Sequence, residues 1–122
     1  MGKHWKRVII VGVHVRTINL DPNASLNQYL DFYINKYIPA YEKVLPGVKL
    51  YVIKGLRGDN VNSLGVMWVI KSAEIREKYW PEPDGTASEI TLEALKKIVP
   101  IRDELRKLGR VAQSTYTDWE VL

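Results

Sequence analysis

The stretch "RVIIVGVHVRT" (Arg7 to Thr17) constrains the fold more than any other, because it is apolar on both sides. Read as a β-strand, its side chains alternate, with Ile9, Val11, Val13 and Val15 on one face. Val8, Ile10, Gly12, His14 and Arg16 fall on the other. A strand with one wet face alternates apolar with polar residues, so this one has to be covered on both sides. The fold must therefore supply two covers.

The other elements supply one. Ser25 opens a helix whose apolar arc carries Tyr33, Tyr37 and Tyr41. Pro39 is placed to kink it, and Pro46-Gly47 to end it. "VKLYVIKG" and "LGVMWVIK", either side of the polar loop "RGDNVNS", read as a hairpin of strands two and three. Ser72 caps a short helix, Ala73 to Trp80. Thr86 and Glu89 have capping-box spacing, which starts a longer helix from about Ala87 to Leu108 that Pro100 kinks or divides. "STYTDWEVL" (Ser114 to Leu122) is the last strand.

The order β-α-β-β-α-β predicts the α+β class and a single domain over residues 1–122. Its expected form is a ferredoxin-like sandwich: a four-stranded antiparallel sheet with the helices on one face, the second helix split. The face away from the helices would then expose part of the first strand, residues such as Val66 or Trp68, and the aromatics of the last strand. A patch of that size calls for a second subunit, a nucleic acid or a large apolar ligand.

Composition narrows the choice. With no cysteine there is no disulfide, thiolate metal site or cysteine nucleophile, which fits a cytoplasmic location. No apolar run approaches the roughly 20 residues of a membrane span, so no membrane partner is expected. Lys3, Lys6 and Arg7 precede a β-branched run without a small-residue cleavage site, so no targeting segment is expected. The net charge of +4 raises the question of nucleic acid. The positive residues are dispersed, however, and the dense set from Lys96 to Arg110 is interleaved with acids as on a solvated helix face. An RNA-recognition sheet of the same order needs aromatic platforms on strands one and three. Strand one has none and strand three only Trp68, so nucleic acid is not the expected partner.

His14 is the most suggestive single residue, a titratable ring on an apolar face that could act as general base or orient a carbonyl. Arg16 shares its face and suits an anionic substrate group. Tyr33, Tyr37 and Tyr41 would line the helix wall of a cleft, and Tyr51 and Trp68 the strand wall. In "EKYWPEPDG", Tyr79 is expected as core or cleft wall and Trp80 as lid or interface. Glu82 and Asp84 precede a helix N-terminus, where acids have a structural reason to stand, so no metal site is expected.

The chain resembles the dimeric α+β barrel proteins, especially the antibiotic-biosynthesis-monooxygenase-like branch. The likeness lies in a strand ending "VHVRT", an aromatic first helix closed by "LPG", and an apolar third strand running into "KSAEIREKYW". A stop at Gly109 and a final aromatic strand complete it. The resemblance implies a homodimer whose two sheets pack face to face, with a cleft between sheet and helices in each subunit. Members include cofactor-independent monooxygenases, haem-degrading enzymes and isomerases. Two departures matter. Ile70 stands where the family often has a Trp, and "PEPDGTASE" replaces the histidine-bearing segment of the haem-degrading members. The expectation is a small, largely apolar or aromatic ligand without a cofactor. His14 would polarise or deprotonate it in an oxygenase- or isomerase-like reaction. The alternative is a non-enzymatic ligand-binding or assembly protein.

Overall fold

A computed structural model of the chain describes residues 9–122; Arg7 and Val8 of the expected first strand lie outside that range. The elements are β1 (Ile10–Leu20), α1 (Leu26–Phe32), a π-helical turn (Tyr33–Tyr37), α2 (Ile38–Val44), β2 (Val48–Lys54) and β3 (Leu64–Ile70). They continue as α3 (Ala73–Tyr79), α4 (Glu89–Lys96), α5 (Val99–Leu108) and β4 (Gly109–Glu120). The sheet order is β2-β3-β1-β4 with every neighbour antiparallel. This is the ferredoxin-like arrangement that the element order predicts.

The helix caps are those expected at Ser25 and Ser72. Ser25 forms a capping box with Gln28, and Ser72 accepts from the Ile75 N–H. The third cap is different. Thr86 uses its N–H and hydroxyl on Asp84 Oδ1, so Ser88 caps α4 and the helix starts at Glu89 rather than Ala87. Pro100 divides the second helical segment, entering α5 in its first turn, where its missing N–H costs nothing.

Pro39 has an effect that the expected kink did not anticipate. Its ring removes a hydrogen bond and crowds the preceding turn, and the helix answers by widening. Ile38 donates to Tyr33 O, a five-residue step. A four-residue step in an α-helix overshoots a full turn by about 40°, and the wider turn takes back part of that drift. Tyr29, Tyr33, Tyr37 and Tyr41 therefore stay in one column, with successive ring centroids 6.0, 5.1 and 5.9 Å apart.

Two strands run longer than their local pattern suggested. β1 continues to Leu20, and β4 begins at Gly109, not Ser114. The added residues pair with each other, Ile18 with Val111 and Leu20 with Gly109, so each half of the extension depends on a distant partner. A bulge at Ala112 interrupts that ladder, since Thr17 pairs with Gln113 but Ile18 with Val111.

The register assigns the faces. Ile10, Val48, Leu50, Val66 and Ile70 are buried against Tyr29, Tyr33, Tyr41, Leu45, Tyr79 and Leu105 of the helix layer. Val66 and Trp68 thus belong to the helix side, correcting their expected place on the outer face; alternation from the buried Ile70 requires it. The open face carries Val11, Val13, Val15, Met67 and Val69, half-buried, with Tyr51 and Trp119 50% and 59% exposed. Neither central strand presents an aromatic ring there. Among the described residues no helix is long and apolar enough to cross a membrane.

Tyr79 is core, 3% exposed, and its hydroxyl donates to Pro46 O at 2.9 Å. Tyr79→Phe removes this part-buried bond and is expected to cost about 1 kcal/mol. The change would be read as a lower urea midpoint at unchanged slope. An unshifted midpoint would show that the bond contributes nothing.

Candidate functional site

Between the sheet and the helix layer lies a cleft of about 300 Å³, at the lower end of small-molecule sites. β1 contributes Gly12 and His14 to its floor, β3 contributes Trp68 and Ile70, and β4 contributes Ser114, Tyr116 and Asp118. Strand pairing sets these groups side by side, since His14 pairs with Val66 on one side and Tyr116 on the other. Tyr41 and Trp80 close the helix side, and Asp84 with Gly85 forms the rim.

The rim is held at its base. Ser88 Oγ donates to Lys78 O and Thr91 Oγ1 to Tyr79 O, both at 2.8 Å, while the Ser88 N–H also reaches Tyr79 O at 2.9 Å. These bonds tie the start of α4 to the end of α3, so the intervening prolines describe a fixed loop. Trp80, released from α3 at its C-terminus, faces the cleft and stands edge-on to Tyr79 with centroids 5.8 Å apart.

His14 sits between two rings, Trp68 at 4.4 Å and Tyr116 at 4.5 Å. Burial chiefly, and then the Arg16 charge two residues along, pull its pKa down to about 4 against an opposing pull from Asp118. The imidazole is neutral at pH 7. Burial and the adjacent Asp118 carboxylate push Tyr116 up to about 12, so its phenol keeps its proton. Asp118 is itself engaged: Arg76 Nη2 and Nε donate to its Oδ2 at 2.7 and 3.0 Å. Arg76 also donates to Trp80 O at 3.2 Å, linking the β4 wall to the ring at the rim.

The lowered pKa has a consequence for stability. The unfolded chain protonates His14 near the ordinary 6.5, the folded chain only near 4. Below pH 6.5 the unfolded state holds more protons, so stability complete above that pH falls as pH drops toward 4. With a discount for solvent screening the loss is about 1–2 kcal/mol. Wild type should lose that much more than His14→Gln between pH 7 and 4.5, measured by chemical denaturation. Parallel losses would overturn the assignment.

The expected site residues fall into three groups. His14, Tyr41, Trp68 and Trp80 meet in this cleft. Arg16, Tyr33 and Tyr37 line a second cavity beyond Trp68, whose ring forms a wall of both. Tyr51 is not brought to either, because the register turns it to the open face, and Tyr79 is core. Unanticipated were Gly12, Tyr116, Asp118 and Arg76. Ser114, Tyr116 and Asp118 lie at two-residue steps, and that alternation was the available signal. Among the described residues no three His, Asp or Glu side chains converge as a metal-ligand set.

No protein-family model and no curated protein sequence matches the chain. Solved structures do. A NIPSNAP family protein from Agrobacterium tumefaciens superposes with a TM-score of 0.51 at 14% identity, over 91% of this chain and 90% of that one. A DABB family protein with a ferredoxin-like fold from Mesorhizobium loti gives 0.50 at 15% identity, over 94% and 98%. At these identities the likeness is one of fold, and the chain has the ferredoxin-like fold that its resemblance to the dimeric α+β barrel proteins implied.

Proposed function

We propose that the chain is a homodimer in which each subunit binds a small, largely apolar molecule in the cleft at His14. The imidazole serves as hydrogen-bond partner to an oxygen of that molecule. What supports this reading above all is a neutral histidine set between two aromatic rings in a cavity of about 300 Å³. A group whose conjugate acid has a pKa near 4 is a weak base at pH 7. Of the two roles open to His14, polarising a carbonyl or hydroxyl thus suits it better than deprotonation. An isomerase- or oxygenase-like enzyme would use that polarisation in turnover; a ligand-binding protein would use the same contacts without it.

A ring phenol, 1-naphthol, is a suitable probe, followed by isothermal titration and by quenching of tryptophan emission. Saturable binding is expected, weakened about tenfold or more in Trp80→Ala and about fivefold to tenfold in His14→Ala. Failure of 1-naphthol to bind, or equal binding by both variants, would overturn the proposal. The catalytic role would fall separately if His14→Ala left turnover of an identified substrate unchanged.

A further inference from the structure

The cavity beyond Trp68 has a different character. It measures about 350 Å³, and four arginines from three elements line it: Arg16 of β1, Arg102 and Arg106 of α5, and Arg110 of β4. Tyr29, Tyr33 and Tyr37 form the wall opposite α5, and no Asp or Glu is among the lining residues. The dense basic set expected on a solvated helix face is exposed for the most part, but its members have different neighbours. Lys96 and Lys107 point outward and pair with Glu93 and Glu104, each at 2.8 Å. The arginines at four-residue steps line the cavity instead, Arg102 partly buried and Arg106 and Arg110 at its solvent-exposed edge.

Their hydrogen-bonding capacity is largely unused. Arg16 Nη1 reaches Tyr33 Oη only at 3.4 Å, and its guanidinium carbon lies 5.3 Å from the Trp68 ring centre. Arg102 Nη2 is 3.4 Å from Asp103, an exposed pair. The Nε atoms of both Arg16 and Arg102 are buried and have no partner among the described residues. An unpaired buried donor on a charged group is costly, and an oxyanion satisfies several such donors at once. Arg16, Arg102 and Arg106 also all act on the Tyr37 phenol, opposing the upward push of burial, which places their charges around one point.

We propose that this cavity binds the oxyanion group of a small molecule, a phosphate or carboxylate seated between Arg16 and Arg102, with the body of the ligand against the tyrosine column. The cavity is larger than a single phosphate requires, and the aromatic wall gives the remainder of the ligand a surface. The site is distinct from the cleft at His14, with Trp68 as the wall between them.

The test follows the arginine Nε–Hε signals of the full chain by NMR at low ionic strength, during titration with inorganic pyrophosphate and, separately, with citrate. Saturable shifts of Arg16 and Arg102 are expected from at least one, and the comparison decides between phosphate and carboxylate chemistry. The double variant Arg102→Gln/Arg106→Gln should weaken binding about 100-fold, roughly tenfold for each charge-assisted contact. Lys96→Gln/Lys107→Gln removes the same charge from the outer face and should change affinity less than about twofold. The proposal is overturned if neither anion gives a saturable shift by about 10 mM, a limit weaker than any built site of this kind. It is equally overturned if the lysine variant loses as much affinity as the arginine variant.

Discussion

Gly12→Val is expected to destabilise the fold by about 2–4 kcal/mol and to abolish 1-naphthol binding. Intrinsic preference argues the opposite, since valine is among the best strand formers and glycine among the worst. Contact decides the sign. A Cβ at Gly12 would stand 2.8 Å from Asp118 Oδ1, with the ring of Tyr116 and the Cβ of Trp68 just beyond. Asp118 is the end of a movable side chain, but moving it breaks its two bonds from Arg76 and strands a carboxylate that is only 20% exposed. The valine methyls would also occupy the cleft floor. Thermal unfolding should register a fall of roughly 6–15 °C. A variant as stable as wild type would mean that Asp118 has another place to go.

On the opposite face of the same strand, Val13→Glu is expected to turn the proposed dimer into a monomer. Val13 pairs with Met67 and Thr117, at the middle of the open face. In a lone subunit that face is wet and a glutamate there is tolerated; pressed against a second sheet it becomes an unpaired buried charge. The dimer should weaken at least 100-fold, about 3 kcal/mol, while circular dichroism is retained. Light scattering should give about 28 kDa for wild type, twice the 14.1 kDa chain, and about 14 kDa for the variant. A wild-type chain monodisperse at 14 kDa in the micromolar range would remove the dimer altogether. An undisturbed dimer in Val13→Glu would place the interface elsewhere.

The fold was legible because its signals are local. Ser25 and Ser72 announce helix starts within three residues of themselves, and short β-branched runs bounded by loops mark β1, β2 and β3. What escaped was set at a distance. Ile18 to Leu20 and Gly109 to Val111 become strand only because they find one another, and nothing in "INL" or "GRV" says so alone. His14 and Trp80 stood out by residue type, whereas Asp118 matters through Arg76, a partner forty-two positions away. The arginines of α5 were visible as residues but not as a group. Separating them from the paired lysines required their four-residue phase to be read apart from the three-residue Glu–Lys spacing.

The bulge at Ala112 makes β4 two strands in opposite phase. On one side, Ser114, Tyr116 and Asp118 present even positions to the cleft; on the other, the odd positions Gly109 and Val111 pair with the helix-side residues Leu20 and Ile18, and Arg110 between them also reaches the arginine cavity. Exchanging a residue in either half leaves the other half's facing untouched, so the two cavities can diverge in sequence independently. Losing the extra residue at Ala112 would leave a regular ladder with the same facings, whereas losing a residue elsewhere in β4 would turn every position on one side of the gap through the sheet. Away from Ala112, this strand tolerates substitution far better than a change of length.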